Sequence, residues 1–160
     1  WRRFALAQWL LQTACARVAR EPTPEALGGA ETVFARGTGG RYTVLNRDLE
    51  TSKITVCDAD GREKAAEELS RGAAEQLYLS LRFGYVRVRA EHGEPLPVVM
   101  DDILVNFDPD RQRRAAETIA ELAREQQVLF FTCHPSVCAL FQEVDKDTPV
   151  LRLENGRFSA

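Results

Sequence analysis

Leu96-Pro97-Val98-Val99-Met100-Asp101-Asp102 is the stretch on which the fold turns. Its apolar run shows no polar alternation, so it reads as a strand buried on both faces, as in a parallel sheet. Such strands meet their ligands just beyond their carboxyl ends. Two adjacent carboxylates placed there repel each other and lose solvation unless a cation lies close, and Mg2+ with phosphate is the natural partner. The plainer alternative, a solvated turn after a strand, stays open because Asp is frequent in loops.

Working outward, Gln127-Val128-Leu129-Phe130-Phe131-Thr132-Cys133-His134-Pro135 is a second apolar strand, and it ends on one of the two histidines of the chain. A single histidine is commonly structural. This one follows the acidic pair by one helix, and a parallel strand–helix–strand unit carries both tips to the same edge of the sheet. Upstream, Leu69-Ser70-Arg71-Gly72-Ala73-Ala74-Glu75-Gln76 is a polar turn that opens a helix. Ser70 suits the N-cap and Gly72 keeps the first turn bare, which leaves N–H groups exposed to an anion. Taken alone, these residues fit an ordinary capped helix better.

With Asn106-Phe107-Asp108-Pro109-Asp110-Arg111 added, the order of motifs resembles the signature, Walker B, D-loop and switch histidine of ABC-type ATPases. Leu-Ser-Arg-Gly-x-x-Glu-Gln-Leu-Tyr-Leu and Asp-Asp-Ile-Leu-Val-Asn-Phe-Asp resemble SMC-like chromosome and DNA-repair ATPases, especially the YhaN-type relatives of SbcC. The likeness runs from about Phe34 to Phe158. It implies the C-terminal half of an ABC-type head of the P-loop NTPase class, an α/β fold with a mostly parallel sheet flanked by helices.

That resemblance also implies roles. Ser70, Gly72, Gln76 and Asp108 would bind nucleotide, with Ser70 and Gly72 at the γ-phosphate held by an opposite head. Asp101 would hold Mg2+ through water, Asp102 would orient or deprotonate the attacking water, and His134 would contact the γ-phosphate. Asp102 stands where ABC ATPases usually carry Glu, and it is one methylene shorter, which matters for a base. The implied partners are the N-terminal Walker A lobe of the same protein and a second head forming a homodimer around ATP. DNA and a nuclease subunit are further candidates, and the implied location is cytoplasmic.

A phosphate cradle is missing. Gly37-Thr38-Gly39-Gly40 looks like one at first, but Arg41-Tyr42 follows where Lys-Ser or Lys-Thr belongs. Lys53, Lys64 and Lys146, the only lysines, all lie outside such a context. The chain alone is therefore expected neither to bind ATP tightly nor to hydrolyse it. A micromolar titration with a fluorescent ATP analogue checks this, and saturable binding would overturn it.

Composition agrees with a soluble globular domain, with 44% hydrophobic and 28% charged residues. The 21 basic and 24 acidic residues leave a net charge of −3, against a surface broadly dedicated to nucleic acid. The longest apolar runs are strand-sized, so no membrane partner is expected, and no secretory signal is visible. Cys15, Cys57, Cys133 and Cys138 show no Cys-x-x-Cys spacing and read as cytosolic thiols. Cys133, His134 and Cys138 can be imagined as metal ligands, but no fourth ligand follows at finger spacing, so bound zinc is not expected.

Opening on Trp1, the chain reads as a piece of something longer. Phe4, Ala7, Leu11, Ala14 and Val18 make residues 1–21 the end of a coiled coil or an amphipathic helix, and 22–160 the head lobe. Glu25–Phe34 reads as a short helix weakened by Gly28 and Gly29. Tyr42–Leu45 and Ile54–Cys57 read as a hairpin ending near Asp60-Gly61. The helix from Arg71 to about Arg89 should bury Ala73, Leu77, Leu81, Tyr85 and Val88, with Tyr78 and Arg82 on another side. Asp108-Pro109 starts a helix that should turn Ala116, Ile119, Ala120 and Ala123 inward. A helix over Ser136–Glu143, a strand over Val150–Leu153 and a turn at Asn155-Gly156 complete an α/β pattern. Two rivals stand beside the ATPase head: a noncatalytic dimerisation or docking module, and a stand-alone metal-dependent phosphoesterase using Asp101, Asp102 and His134.

Overall fold

The structure is a computed structural model that describes residues 23–48, 53–93, 95–154 and 156–159. The heptad-like stripe from Phe4 to Val18 lies outside these residues. The chain divides into two compact units, one up to His92 and the other from Gly93.

In the first unit, helix α1 (Pro24–Gly37) starts where Thr23 accepts the Ala26 N–H at 3.3 Å and Pro24 presets the first turn. Strands β1 (Tyr42–Arg47), β2 (Ile54–Asp58) and β3 (Glu63–Ala65) follow as an antiparallel sheet in sequence order. The expected hairpin is thus extended by one strand. Asp58 makes the turn: its Oδ1 accepts the N–H groups of Asp60 at 3.1 Å and Arg62 at 2.9 Å, while Gly61 takes φ 76°. A 3-10 turn (Ala66–Glu68) leads to helix α2 (Arg71–Glu91).

The core of this unit is Ala30, Phe34, Tyr42, Leu45, Val56, Ala73 and Leu77. The rings of Phe34 and Tyr42 stack with centroids 5.5 Å apart, and the Glu31 carboxylate accepts the Leu45 N–H at 2.9 Å, which ties α1 to the sheet. Helix α1 is longer than expected, and its Gly29 faces Gly84 of α2. A Cβ on Gly29 would sit 3.4 Å from the Gly84 Cα, and one on Gly84 would sit 2.1 Å from the Ala26 carbonyl oxygen. Bare backbone is what lets α1 and α2 come this close. The buried face of α2 is correspondingly Ala73, Gln76, Leu77, Ser80, Phe83 and Gly84, whereas Leu81, Tyr85 and Val88 are only half-buried. Tyr78 and Arg82 are exposed.

The second unit is built on a parallel pair, β4 (Val98–Asp101) and β5 (Val128–Phe131), in register from Val98 opposite Val128 to Asp101 opposite Phe131. Between them runs helix α3 (Pro109–Ala123), and helix α4 (Pro135–Val144) follows β5. The short strands β6 (Arg152–Glu154) and β7 (Arg157–Ser159) close as an antiparallel hairpin around Gly156. The architecture is α/β, with small sheets of which the β4–β5 pair is parallel.

Two details of this unit differ from expectation. Helix α3 buries Ala115, Ala116, Thr118, Ile119 and Leu122, and Ala123 faces solvent, because the inward stripe is rotated towards Leu122 at the end of the helix. The strands are not buried on both faces. Met100 is buried and Phe130 packs on Phe141 of α4 at 4.8 Å between centroids, but Val99 is 64% and Phe131 45% exposed. Alternate residues point to opposite faces, and Phe141 of helix α4 packs on the Phe130 side. Among the described residues no helix is long and apolar enough to cross a membrane.

Candidate functional site

Strand β4 delivers Asp101 as its last, exposed residue. Asp102 then takes φ 47°, a left-handed conformation that costs a non-glycine residue roughly 1 kcal/mol. Its neighbours hold it there. The Asp102 N–H donates to the Phe131 carbonyl at 2.9 Å, one step beyond the ladder, and its own carbonyl accepts the Val105 N–H at 3.2 Å. The turn that follows is anchored by the buried side chains of Leu104 and Phe107.

The Asp102 carboxylate meets the tip of β5. The Thr132 hydroxyl donates to Oδ1 at 2.6 Å, and the Cys133 thiol donates to Oδ2 at 3.3 Å. Thr132 Oγ1 also accepts the His134 N–H at 3.1 Å, so one hydroxyl fixes both the carboxylate and the backbone that bears the imidazole. The Thr132 and then the Cys133 hydrogen bond hold the Asp102 carboxyl below the ordinary carboxylate value, and His134 adds to this. The same carboxylate pushes the Cys133 thiol up. A carboxylate oxygen of Asp102, Cys133 Sγ and a ring nitrogen of His134 all lie within 4.8 Å of one another. His134 occupies the N-cap position of α4 without a side-chain capping bond, and Pro135 begins the helix, so its ring has no capping duty.

The sequence points to Asp102 and His134 but gives Thr132 and Cys133 no part in holding the carboxylate. Counting from the strand ends could have found them. Asp101 pairs with Phe131 in the parallel register, so the residues that follow each strand must lie side by side.

The remaining expected residues are placed as follows. Asp108 caps α3, accepting the Arg111 N–H at 3.0 Å while the Arg111 Nε sits 3.1 Å from its other oxygen. Ser70 is exposed at the N-cap of α2 and accepts the Ala73 N–H at 3.4 Å, with Gly72 half-buried beside it. Gln76 does not reach a surface. It is 3% exposed, its Nε2 donates to the Gly37 carbonyl at 2.9 Å and its Oε1 is enclosed without a partner, so it serves the joint between α1 and α2. Gly37-Thr38-Gly39-Gly40 is the carboxyl end of α1. The N–H groups of Thr38, Gly39 and Gly40 are spent on the carbonyls of Phe34, Arg36 and Ala35, and a helix carboxyl terminus repels phosphate in any case.

No protein-family model matches the chain. In sequence it is similar to the uncharacterized protein YhaN of Bacillus subtilis, 31% identical over 138 residues, which is 86% of this chain and 14% of YhaN. It is also similar to the uncharacterized protein Rv1278 of Mycobacterium tuberculosis, 32% identical over 92 residues, or 58% of this chain and 10% of that protein. In structure it matches a chain solved in work on ATP-driven dimerization and DNA-stimulated activation of SMC ATPases. There the TM-score is 0.62 at 17% identity, covering 84% of this chain and 81% of that one. The SMC head domain of Thermotoga maritima matches with a TM-score of 0.61 at 15% identity, over 89% of this chain and 49% of that domain.

The fold is that of an SMC head. A third match, the Smc head of Pyrococcus furiosus with an extended coiled coil bound to the C-terminal domain of ScpA, has a TM-score of 0.57 at 18% identity over 72% of this chain and 30% of that one. The chain spans only 14% of YhaN and so corresponds to a small part of that relative. At 15–18% identity these matches are a likeness of fold to SMC heads.

Proposed function

We propose that residues 22–160 serve as the C-terminal lobe of an ATP-binding, ATP-hydrolysing SMC-like head, with residues 1–21 as the end of its coiled coil. In the full-length protein two such heads join around ATP, and closing them moves the coiled coils in DNA repair or chromosome maintenance. The observation that carries this is the corner at the carboxyl ends of β4 and β5, where Asp102 and His134 meet beside the exposed Asp101. Phosphoryl transfer asks for positioning and charge neutralisation more than covalent help, so a site can be shared between lobes and heads.

The donor set suits the expected ligands. Asp101 offers a solvent-facing carboxylate at a strand end, the hard oxygen that Mg2+ takes, and bound Mg2+ would supply neutralising charge for the phosphates. Asp102, oriented by Thr132 and Cys133, is the base or water-orienting group, and His134 the contact to the γ-phosphate. Ser70 and Gly72 begin α2 with N–H groups suited to the γ-phosphate of the facing head, and Asp108 belongs to the loop that crosses between heads. ATP-driven dimerization is what one matched SMC structure was solved to explain, and ScpA is bound to another, which makes head pairing and a protein partner the natural proposals here.

Ser70→Arg in the full-length protein tests the pairing. A long cation at this exposed N-cap would fill the space meant for phosphate, at a cost of about 1 kcal/mol in lost capping. ATP-dependent dimerisation followed by light scattering should disappear while the far-ultraviolet circular dichroism spectrum is kept. Dimers that still form on ATP would remove Ser70 from the nucleotide site.

A further inference from the structure

The corner of Asp102, Cys133 and His134 gathers three kinds of donor atom, a carboxylate oxygen, a sulfur and an imidazole nitrogen, within 4.8 Å of one another. Mg2+ has no use for two of them, since it takes oxygen ligands. Thiolate and imidazole together select a softer ion, and three protein ligands around a tetrahedral ion leave one position open. We propose that Cys133, His134 and Asp102 form a binding site for a thiophilic divalent ion of the Zn2+ type, and that the bound ion switches the strand tips off by engaging Asp102 and His134.

The distances suit this ion. Ligands at about 2.3 Å for sulfur and about 2.0 Å for oxygen around a tetrahedral metal lie roughly 3.5 Å apart. Cys133 Sγ and Asp102 Oδ2 are 3.3 Å apart already. Binding replaces the S–H···O hydrogen bond by two metal bonds, and the thiol proton leaves to solvent. The Thr132 hydroxyl is held by the other oxygen, Oδ1, so it can orient the carboxylate without occupying the donor the metal needs. It also fixes the His134 backbone, which makes it a shared outer partner for two ligands. Cys133 is exposed and the other two are half-buried, so an ion can enter from solvent.

The site stands on geometry alone, whereas the inhibitory consequence rests on the ATPase function proposed above. Co2+ titrated into the reduced chain separates the two, because a thiolate-to-cobalt charge-transfer band in the near ultraviolet reports coordination without any need for ATP. The band is expected in the chain as it is and in Cys138→Ser, and it should vanish in Cys133→Ser. His134→Ala and Asp102→Asn should weaken Co2+ binding by more than about tenfold, since loss of even an outer partner costs that much. No band, or a band that survives in Cys133→Ser, overturns the site. Serine at this exposed position keeps a donor for Asp102, so loss of the band there would not reflect unfolding. In the full-length protein, Zn2+ at concentrations that saturate the site should suppress ATP turnover, and Cys133→Ser should relieve this. Turnover indifferent to Zn2+ while the band persists would overturn the switch but leave the site.

Discussion

Gly84→Ala should lower the melting temperature by about 10 °C, although alanine is the better helix former. The gain in helix propensity is at most about 1 kcal/mol. Against it stands a Cβ that would lie 2.1 Å from the Ala26 carbonyl oxygen, 3.0 Å from the Ala30 nitrogen and 3.1 Å from the Ala26 carbonyl carbon. These are backbone atoms of α1, with no flexible side-chain end that could swing aside. The two helices must move apart, and overpacking of this kind costs about 1–3 kcal/mol or more. The displacement would also pull Gln76 from the Gly37 carbonyl and loosen Phe34 against Tyr42. At about 4–8 °C per kcal/mol for a unit of this size, a net loss of about 2 kcal/mol gives the stated shift. Gly28 is the control, because nothing lies within 4 Å of a Cβ built there and Gly28→Ala should gain up to about 1 kcal/mol. Thermal melts followed by circular dichroism decide it. A Gly84→Ala protein as stable as the parent would mean that α1 and α2 do not cross at this glycine.

This crossing was hidden in the sequence for a physical reason. Gly28 and Gly29 read as helix breakers, since propensity is local, whereas the use of Gly29 and Gly84 exists only once another helix is close. Strand β3 was hidden in the same way. Glu63-Lys64-Ala65 has no apolar alternation, and it is a strand because β2 offers an edge and Asp58 turns the chain back onto it. Features whose cause lies within a few residues were legible. Ser70 and Asp108 cap the helices they were expected to cap, and Gly156 takes the positive φ its turn requires. The strand tips fall between these cases. An acidic pair and a histidine at strand ends could be read directly, but the partners of Asp102 depend on the parallel register. The exposed faces of Val99, Leu129 and Phe131 depend on which elements cover the pair, and an apolar run does not encode that.

Asp102→Asn in the full-length protein should reduce ATP turnover by about 100-fold to 10,000-fold, the range that a positioned base contributes. Asparagine keeps the size of the side chain and can still accept the Thr132 hydrogen bond through its carbonyl oxygen, so the turn after β4 should survive. It loses the negative charge and the oxygen that accepts the Cys133 thiol, and with them the ability to draw a proton from water. On the proposed roles, ATP binding and head pairing need neither, so ATP-dependent dimers should form and outlast those of the parent. The pH dependence follows from the direction of the shift at this carboxyl. Held below its ordinary value of 3.8, Asp102 is ionised throughout the neutral range, and its share of native stability is lost only as pH falls towards the lowered value. Its protonation therefore imposes no loss of turnover near neutrality. The same shift makes it a weaker base, because proton transfer is most efficient when the pKa lies near the working pH. If Asp102 is the base, as proposed, a carboxylate shorter than Glu and stabilised as the anion should make hydrolysis slow. Unchanged turnover in Asp102→Asn would move the base elsewhere, while short-lived dimers with turnover abolished would show that the carboxylate is needed for pairing as well as for chemistry.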